Sequence, residues 1–297
     1  MKSINLIYNP FSGGGSFKGR LDEYIAELQA VGFVVHTFRF TNSLDLEEYF
    51  ASEIGRKCDV IAVSGGDGTV NTVINSVLRH GIVAPLAIIP SGTANDFAKF
   101  LDMPADASNF AAAIKRGNAV DVDIGQANER YFINVCGTGL FSHVSQKVNK
   151  NMKTTLGKLA YYLKGLGELP DFEPISVRIS NSHEVIEPDI FLFLALNTAG
   201  AGGFGKLVPE ASVTDGLLDF VAFRACSLVD LGKLFIKILR QDYINDPNII
   251  YFRDNFVKVE LLEPNPKYDT CDIDGEYGPK LPLTIRNIPN RIPLILP

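Results

Sequence analysis

The segment Ser64-Gly65-Gly66-Asp67-Gly68-Thr69 sets three glycines and one acid within six residues. That is more glycine than a turn needs. Glycine lets a backbone pass close to a ligand, and a helix starting just beyond offers free N–H groups to an anion. Asp67 is the odd member, because a bare carboxylate repels phosphate; it points to a bridging Mg²⁺ or a nearby Lys or Arg. The plain alternative is that Asp67 forms a turn with Gly68 or caps the next helix. A second loop, Asn9-Pro10-Phe11-Ser12-Gly13-Gly14-Gly15, reads equally well as a flexible connection. A third, Pro90-Ser91-Gly92-Thr93-Ala94-Asn95-Asp96-Phe97, again joins a strand end to a helix start. All three fall at one edge of the expected sheet, and together they favour a nucleotide-phosphate site.

Acids mark the second half. Asp215-Gly216 precedes an apolar strand, and Asp215 with nearby carbonyls has the oxygen chemistry of a hard-cation ligand, although a simple turn carries at least equal weight. Asp272-Ile273-Asp274-Gly275-Glu276 crowds three acids into five residues. A D-G pair between strands is a strong hairpin signal, yet one of these acids, its pKa raised by the others, has the makings of a general base. Two other patterns lack their context. Gly200-Ala201-Gly202-Gly203-Phe204-Gly205 matches a dinucleotide fingerprint without the helix that must follow. With Lys206 it approaches a P-loop, but Leu207 stands where a Ser or Thr is required. His36, His80, His143 and His183 have no ligand spacing and read as structural or surface residues. No Gly-x-Ser-x-Gly elbow or HExxH helix occurs.

The elements that must position these loops change rhythm near residue 120. Before it, strands at Ile4–Tyr8, Phe33–Phe40, Asp59–Val63 and Leu86–Ile89 alternate with helical periodicity. Those helices are expected over Leu21–Val31, Leu44–Ile54, from Val70 (with Val73, Ile74, Val77 and Leu78 on one face), Ala94–Leu101 and Ser108–Arg116. That alternation predicts a doubly wound parallel α/β domain over residues 1–121. Beyond it, strands are expected at Val120–Gln126, Arg130–Val135, Ile175–Ile179, Val185–Leu196, Leu217–Phe223, Phe256–Leu262, Lys267–Ile273, Leu283–Ile285 and Ile292–Leu296. Helices interrupt near Leu156–Leu166 and Leu228–Arg240. Residues 122–297 thus read as an antiparallel β domain, with the last strand free to return to the first domain. A cleft between two unlike domains is a common small-molecule site.

Composition narrows the class. The chain has 297 residues, 46% hydrophobic and 21% charged, the balance of a globular protein. Its net charge of −6, with no basic block, argues against binding nucleic acid by phosphate neutralisation. No apolar run approaches the roughly 20 residues a transmembrane helix needs. Met1–Asn5 leads straight into a strand without a signal core. Cys58, Cys136, Cys226 and Cys271 lie far apart with no metal or disulfide spacing, which fits a cytoplasmic setting.

Asn9–Gly13, Gly65-Gly66-Asp67-Gly68-Thr69-Val70-Asn71 and Gly92-Thr93-Ala94-Asn95-Asp96-Phe97 resemble the diacylglycerol kinase catalytic-domain family, most closely the soluble bacterial lipid kinases of the diacylglycerol kinase B and YegS type. Val122–Gly125, Tyr131–Asn134, Asp215–Leu218 and Asp274–Glu276 follow in the expected order. The resemblance implies a nucleotide-binding α/β domain, a β-sandwich domain with ATP in the cleft between them, and γ-phosphate transfer to a lipid hydroxyl such as that of diacylglycerol. It assigns the nucleotide to Asn9, Pro10, Phe11, Ser12, Gly13, Thr41, Gly65, Gly66, Asp67, Gly68, Thr69, Val70, Asn71 and Thr93. Glu276 is the implied proton acceptor, with Asp274 close to the chemistry. Asp67, Asp96, Asp123 and Lys164 form the implied charged network. Asp215 with backbone oxygens of Ser212 and Leu217 is the implied structural Mg²⁺ site, and a second Mg²⁺ travels with ATP near Asp67. Cys136-Gly137-Thr138-Gly139-Leu140 matches the family segment only approximately. The implied partners are a lipid at the membrane surface, met by transient peripheral contact, and a second copy in a homodimer. Phe204, Leu207 and Val208 are the expected exposed residues reaching the interface. The competing readings are an NAD or other small-metabolite kinase on a related fold, and a nucleotide-binding regulatory protein without turnover.

Overall fold

A computed structural model of the chain describes residues 1–41, 43–139, 173–200 and 207–297. The helix expected over Leu156–Leu166, including Lys164, lies outside those residues, as do His143, Phe204 and the greater part of the glycine run after Gly200. The chain divides into two units, Met1–Val122 with Asn290–Pro297, and Asp123–Pro289.

The first unit alternates strand and helix: β1 (Lys2–Tyr8), α1 (Leu21–Ala30), β2 (Phe33–Arg39), α2 (Ser43–Ala51), α3 (Glu53–Arg56), β3 (Val60–Gly65), α4 (Asp67–Arg79), β4 (Leu86–Pro90), α5 (Asp96–Phe100) and α6 (Ala107–Arg116). Its strands are parallel, in the order β2-β1-β3-β4. Every residue of β3 is buried, the pattern of a strand covered on both faces. The apolar face expected from Val70 is the buried face of α4. From β1 the chain moves to one side for β2, then crosses back over β1 to lay β3 and β4 on the other. Loops leaving β1 and β3 therefore flank a topological switch point, where open α/β sheets bind ligands. The single helix expected over Leu44–Ile54 is two, because Ser52 Oγ accepts the Gly55 N–H and restarts the chain as α3.

The second unit is antiparallel. It comprises β5 (Ala119–Ala127, entering from the first unit), β6 (Arg130–Phe132), β7 (Val135–Gly139), β8 (Ile175–Asn181), β9 (Val185–Ile186), β10 (Asp189–Leu196), β11 (Leu218–Arg224), α7 (Leu228–Leu239), β12 (Ile249–Asp254), β13 (Phe256–Leu261), β14 (Thr270–Ile273), β15 (Glu276–Lys280) and β16 (Leu283–Ile295). One layer runs β15-β14-β7-β10-β11-β12. The other contains β9-β8-β13-β16, with β5 and β6 beside β16. The core between them takes Phe132, Cys136, Val177, Phe193, Phe220, Val257 and Ile285. Leu192, Leu194 and Leu196 of β10 point the opposite way and pack with Leu234 and Ile238 of α7. A strand buried on both faces explains the unbroken apolar run Ile190–Leu196.

Several strand boundaries differ from expectation. Arg130–Val135 bends at Ile133-Asn134 and so divides into β6 and β7. Pro188, which lacks an N–H, separates β9 from β10. The strand expected from Lys267 starts only at Thr270, because Tyr268 N closes a turn on the Asn265 carbonyl. The two last strands are one, β16, whose Asn290 takes a left-handed φ of 51°. β12 and β15 were not expected; Gly278 and Pro279 give β15 little strand propensity.

Candidate functional site

The three glycine loops meet at the carboxyl edge of the parallel sheet through their backbones. Asn9 N donates to the Ser64 carbonyl (3.1 Å) and Ser91 N to that of Gly65 (3.2 Å). A Cβ on Gly13 would collide with the Ser91 carbonyl, and one on Gly92 with Gly66 Cα. Side chains complete the assembly. Asn9 Nδ2 donates to Thr69 Oγ1 (3.3 Å), Ser12 Oγ lies 3.2 Å from the same hydroxyl, and Ser64 and Ser91 hydroxyls are 2.9 Å apart. Gly13, Gly14 and Gly15 all have positive φ, of 54°, 71° and 81°, so this stretch is a tight left-handed turn rather than a slack tether.

Gly66 is the N-cap of α4 and supplies no side-chain cap. The first N–H groups of that helix lack intrahelical partners and face a glycine-lined edge, an arrangement that receives phosphate. Asp67 does cap a helix, though not its own: Oδ1 accepts the Phe97 N–H (3.0 Å) in the first turn of α5. The residue before that turn, Asn95, adopts φ 52° and clasps Gly92 through both amide atoms. Thr93 is exposed and Asp96 half-buried on this loop. Thr41 follows β2 at the same edge, its N–H and hydroxyl both directed to Asp45 Oδ2 (3.2 Å each). Phe11 is exposed, whereas Pro10, Val70 and Asn71 are buried.

The acids of the second unit are held by distant backbone. Asp274 and Gly275 have φ of 51° and 88° and join β14 to β15 as a two-residue hairpin of the I′ kind. The Asp274 carboxylate accepts the N–H groups of Ile133 (2.8 Å), Asn134 (2.9 Å) and Val135 (2.9 Å), which creates the bend between β6 and β7. Asp272 Oδ1 accepts the Gly275 N–H at 2.9 Å. Glu276 leaves the turn with its side chain 53% exposed, 3.9 Å from Arg130 Nη2. Asp123 is buried. It accepts the Gly216 N–H (2.7 Å) and the Asn287 amide (3.3 Å), and its own N–H donates to the Val213 carbonyl (2.7 Å). Asn197 Nδ2 ties the Asp123 and Ile133 carbonyls together, at 3.1 and 3.0 Å.

Asp215 is where a divalent ion fits poorly. Its Oδ1 accepts the Leu217 N–H (3.1 Å), and its Oδ2 is ion-paired with Arg253. Both oxygens are engaged, and a guanidinium holds the one the turn leaves over. Asp219, across the ladder from Arg253, is deeply buried, which raises its carboxyl pKa; Tyr251 O–H (2.6 Å) and Arg253 oppose that rise. Among the described residues, no three His, Cys, Asp or Glu side chains are grouped as metal ligands.

Leu207 and Val208, expected at the surface, are each 1% exposed and pack with Val221, Tyr243 and α7. Their N–H groups both donate to the Ala199 carbonyl, which turns the segment inward. The cysteines are not all apart: Cys136 and Cys271 are buried neighbours on β7 and β14. Their mutual hydrogen bond, reinforced by burial, pushes the Cys136 thiol well above its ordinary range. Sequence reasoning missed Arg253, Asn197 and Arg130. For Arg253 the available signal was the alternation Tyr251, Arg253 on an unrecognised strand.

The family profile of the diacylglycerol kinase catalytic domain matches residues 3–127, and that of the YegS C-terminal NAD kinase beta sandwich-like domain matches residues 134–296. The chain is 36% identical to a diacylglycerol kinase of Bacillus subtilis over 100% of its own length and 97% of the relative's. It is 33% identical to a diacylglycerol kinase of Staphylococcus carnosus, over 100% and 95%. A crystal structure of a diacylglycerol kinase from Bacillus anthracis superposes with a TM-score of 0.79 at 27% identity, covering 100% of this chain and 97% of that one.

Proposed function

The chain belongs to the diacylglycerol kinase family and is a lipid kinase; on that premise we propose that it transfers the γ-phosphate of ATP to the hydroxyl of diacylglycerol or a closely related lipid alcohol. The observation that carries this reading is the convergence of three glycine loops on the N-terminus of α4, whose N-cap is itself a glycine. Phosphoryl transfer asks a protein mainly for positioning and for stabilisation of the phosphoryl oxygens. In this reading the N–H groups of the Gly66–Thr69 and Asn9–Gly13 loops bind the phosphates, with Thr41 and Thr93 at the rim of the nucleotide. Mg²⁺, when bound with the triphosphate, neutralises phosphoryl charge, and Asp67 is the acid that would hold it.

Glu276 takes the proton from the lipid hydroxyl as general base, because its carboxylate is solvent-facing and next to the turn. Asp274 positions it: with three N–H groups on its own carboxylate, its role is to fix the turn. Asp123 performs the same service for the Val213–Leu217 loop. The acceptor, an alcohol on a lipid whose acyl chains lie in the bilayer, is met at the membrane surface in this reading; no helix of the described residues is long and apolar enough to cross a membrane.

The test is incubation of purified protein with γ-labelled ATP, Mg²⁺ and mixed micelles carrying diacylglycerol or other lipid alcohols, beside NAD. Label in phosphatidic acid is expected. Label in NADP, or in no lipid at all, overturns the reading.

A further inference from the structure

The Val213–Leu217 loop is gripped from two sides, and the second grip is a cation built into the chain. On one side Asp123 holds Val213 and Gly216 by hydrogen bonds of 2.7 Å each. On the other, Arg253 Nη2 pairs with Asp215 Oδ2, and its Nε lies 3.4 Å from Asp219 Oδ1. Strand pairing puts it there: Arg253 of β12 sits directly opposite Asp219 of β11 in the ladder, with Tyr251 two residues away on the same face and donating to the same carboxylate at 2.6 Å. The guanidinium is therefore no loose surface side chain. Its two carboxylate partners are 30% and 3% exposed, and planar delocalised charge is well suited to such partly buried pairing.

We propose that Arg253 stands in the cation position of the Asp215 loop, so that this kinase closes the loop with its own guanidinium where the oxygen donors Asp215, Ser212 and Leu217 would otherwise recruit a divalent ion. The Asx turn takes Oδ1 of Asp215 for the Leu217 N–H, and Arg253 takes Oδ2. A divalent ion entering there would have to displace the guanidinium and leave Asp219 without its positive neighbour, and removing one partner of a buried charge pair is costly. A guanidinium serves the loop without depending on free metal. The substitution concerns this loop alone and leaves untouched any ion that accompanies the nucleotide.

Mn²⁺ binding to the nucleotide-free full-length protein, read by electron paramagnetic resonance, tests the assignment without using activity. The wild-type protein should show no Mn²⁺ whose binding is abolished by Asp215→Asn. Arg253→Met should gain one such ion per chain, at least tenfold tighter than anything on the wild type. Its melting temperature should fall in EDTA and recover in millimolar Mg²⁺, a shift absent from the wild type. Arg253→Lys, which keeps the charge, should melt without Mg²⁺ dependence. One Mn²⁺ per wild-type chain, lost on Asp215→Asn, overturns the proposal by itself, even if Arg253→Met fails to fold. An Arg253→Met protein that folds and binds no ion also overturns it, because the donors would then form no cation site.

Discussion

The two units prepare their proposed functional residues in opposite ways. In the first, the site is backbone: three loops interlock through Gly13, Gly66 and Gly92, and side chains such as Asn9, Ser12 and Thr69 stitch neighbouring turns together. In the second, it is carboxylates, several of them held by amides or cations far away in sequence. Asp274 reaches back to Ile133–Val135, Asp123 forward to Gly216, and Arg253 to Asp215. A backbone site tolerates no added atoms. A carboxylate site tolerates atoms but not the loss of its partners. The first is broken by enlargement, the second by isosteric removal of charge.

The largest effect is expected from the exposed acid. Glu276→Gln keeps size and hydrogen-bonding capacity but removes the base, so transfer should fall by about 10²–10⁴-fold. Nucleotide affinity and melting temperature should hold, because the Glu276 side chain is partly solvated and, among the described residues, is ion-paired only with Arg130 at 3.9 Å. Labelled transfer beside a nucleotide-binding isotherm measures both. Retained turnover would remove Glu276 from the chemistry and leave the second unit with only structural acids.

Next comes enlargement of the first unit's loops. The new methyl of Gly92→Ala would collide with Gly66 Cα, which is backbone and cannot rotate away. Overpacking of this kind costs up to about 3 kcal/mol. If the loops part by even a few tenths of an ångström, nucleotide affinity should fall by about tenfold, the equivalent of 1.4 kcal/mol. Thermal melts with and without nucleotide separate the two losses. Gly14→Ala is the matched control for added volume: a Cβ there meets nothing within 4 Å, although φ 71° strains any side chain. Equal nucleotide weakening in both variants would mean that the close approach at Gly92, which has no left-handed φ of its own, is not what shapes the edge.

The same contrast explains what could be read from the chain alone. The parallel sheet and its loops were legible because the requirement is local: a strand, a run of glycines, an amphipathic helix starting at Val70. The β-sandwich was legible as a class but not in detail. Its boundaries are set by partners out of sequence range, as when Asp274 bends the chain at Ile133 or Pro188 divides an apolar run. Leu207 and Val208 misled for the same reason. Beside glycines and a proline they read as a surface lip, and only Tyr243, Val221 and α7 show that they are core. Asp67 was legible as a helix-capping acid but not in its partner: it caps α5, thirty residues on, and not the helix that it opens.

A smaller but sharper effect should follow from Asp274→Asn. The amide retains one acceptor oxygen and turns an NH₂ toward an N–H that the carboxylate had accepted. Leaving a buried donor unmet costs about 2 kcal/mol. The loss should appear in kcat more than in KM, since the variant moves the turn that carries Glu276. A melting change without any fall in kcat would make Asp274 a fold residue only.

The smallest effect sets the baseline for the second unit. Ser227 caps α7, its Oγ accepting the Asp230 N–H at 3.2 Å, and α7 covers the sheet face opposite the sandwich core through Leu234 and Ile238. Ser227→Ala should cost about 1 kcal/mol of stability, the usual price of a lost N-cap, with kcat and KM unchanged. That outcome would show that the carboxylate turns depend on their own amide partners and not on the general stability of the unit. If kcat fell with Ser227→Ala as is expected of Asp274→Asn, the Asp274 clamp and the cap of α7 would be two parts of one cooperative unit, in contrast with the locally built glycine edge.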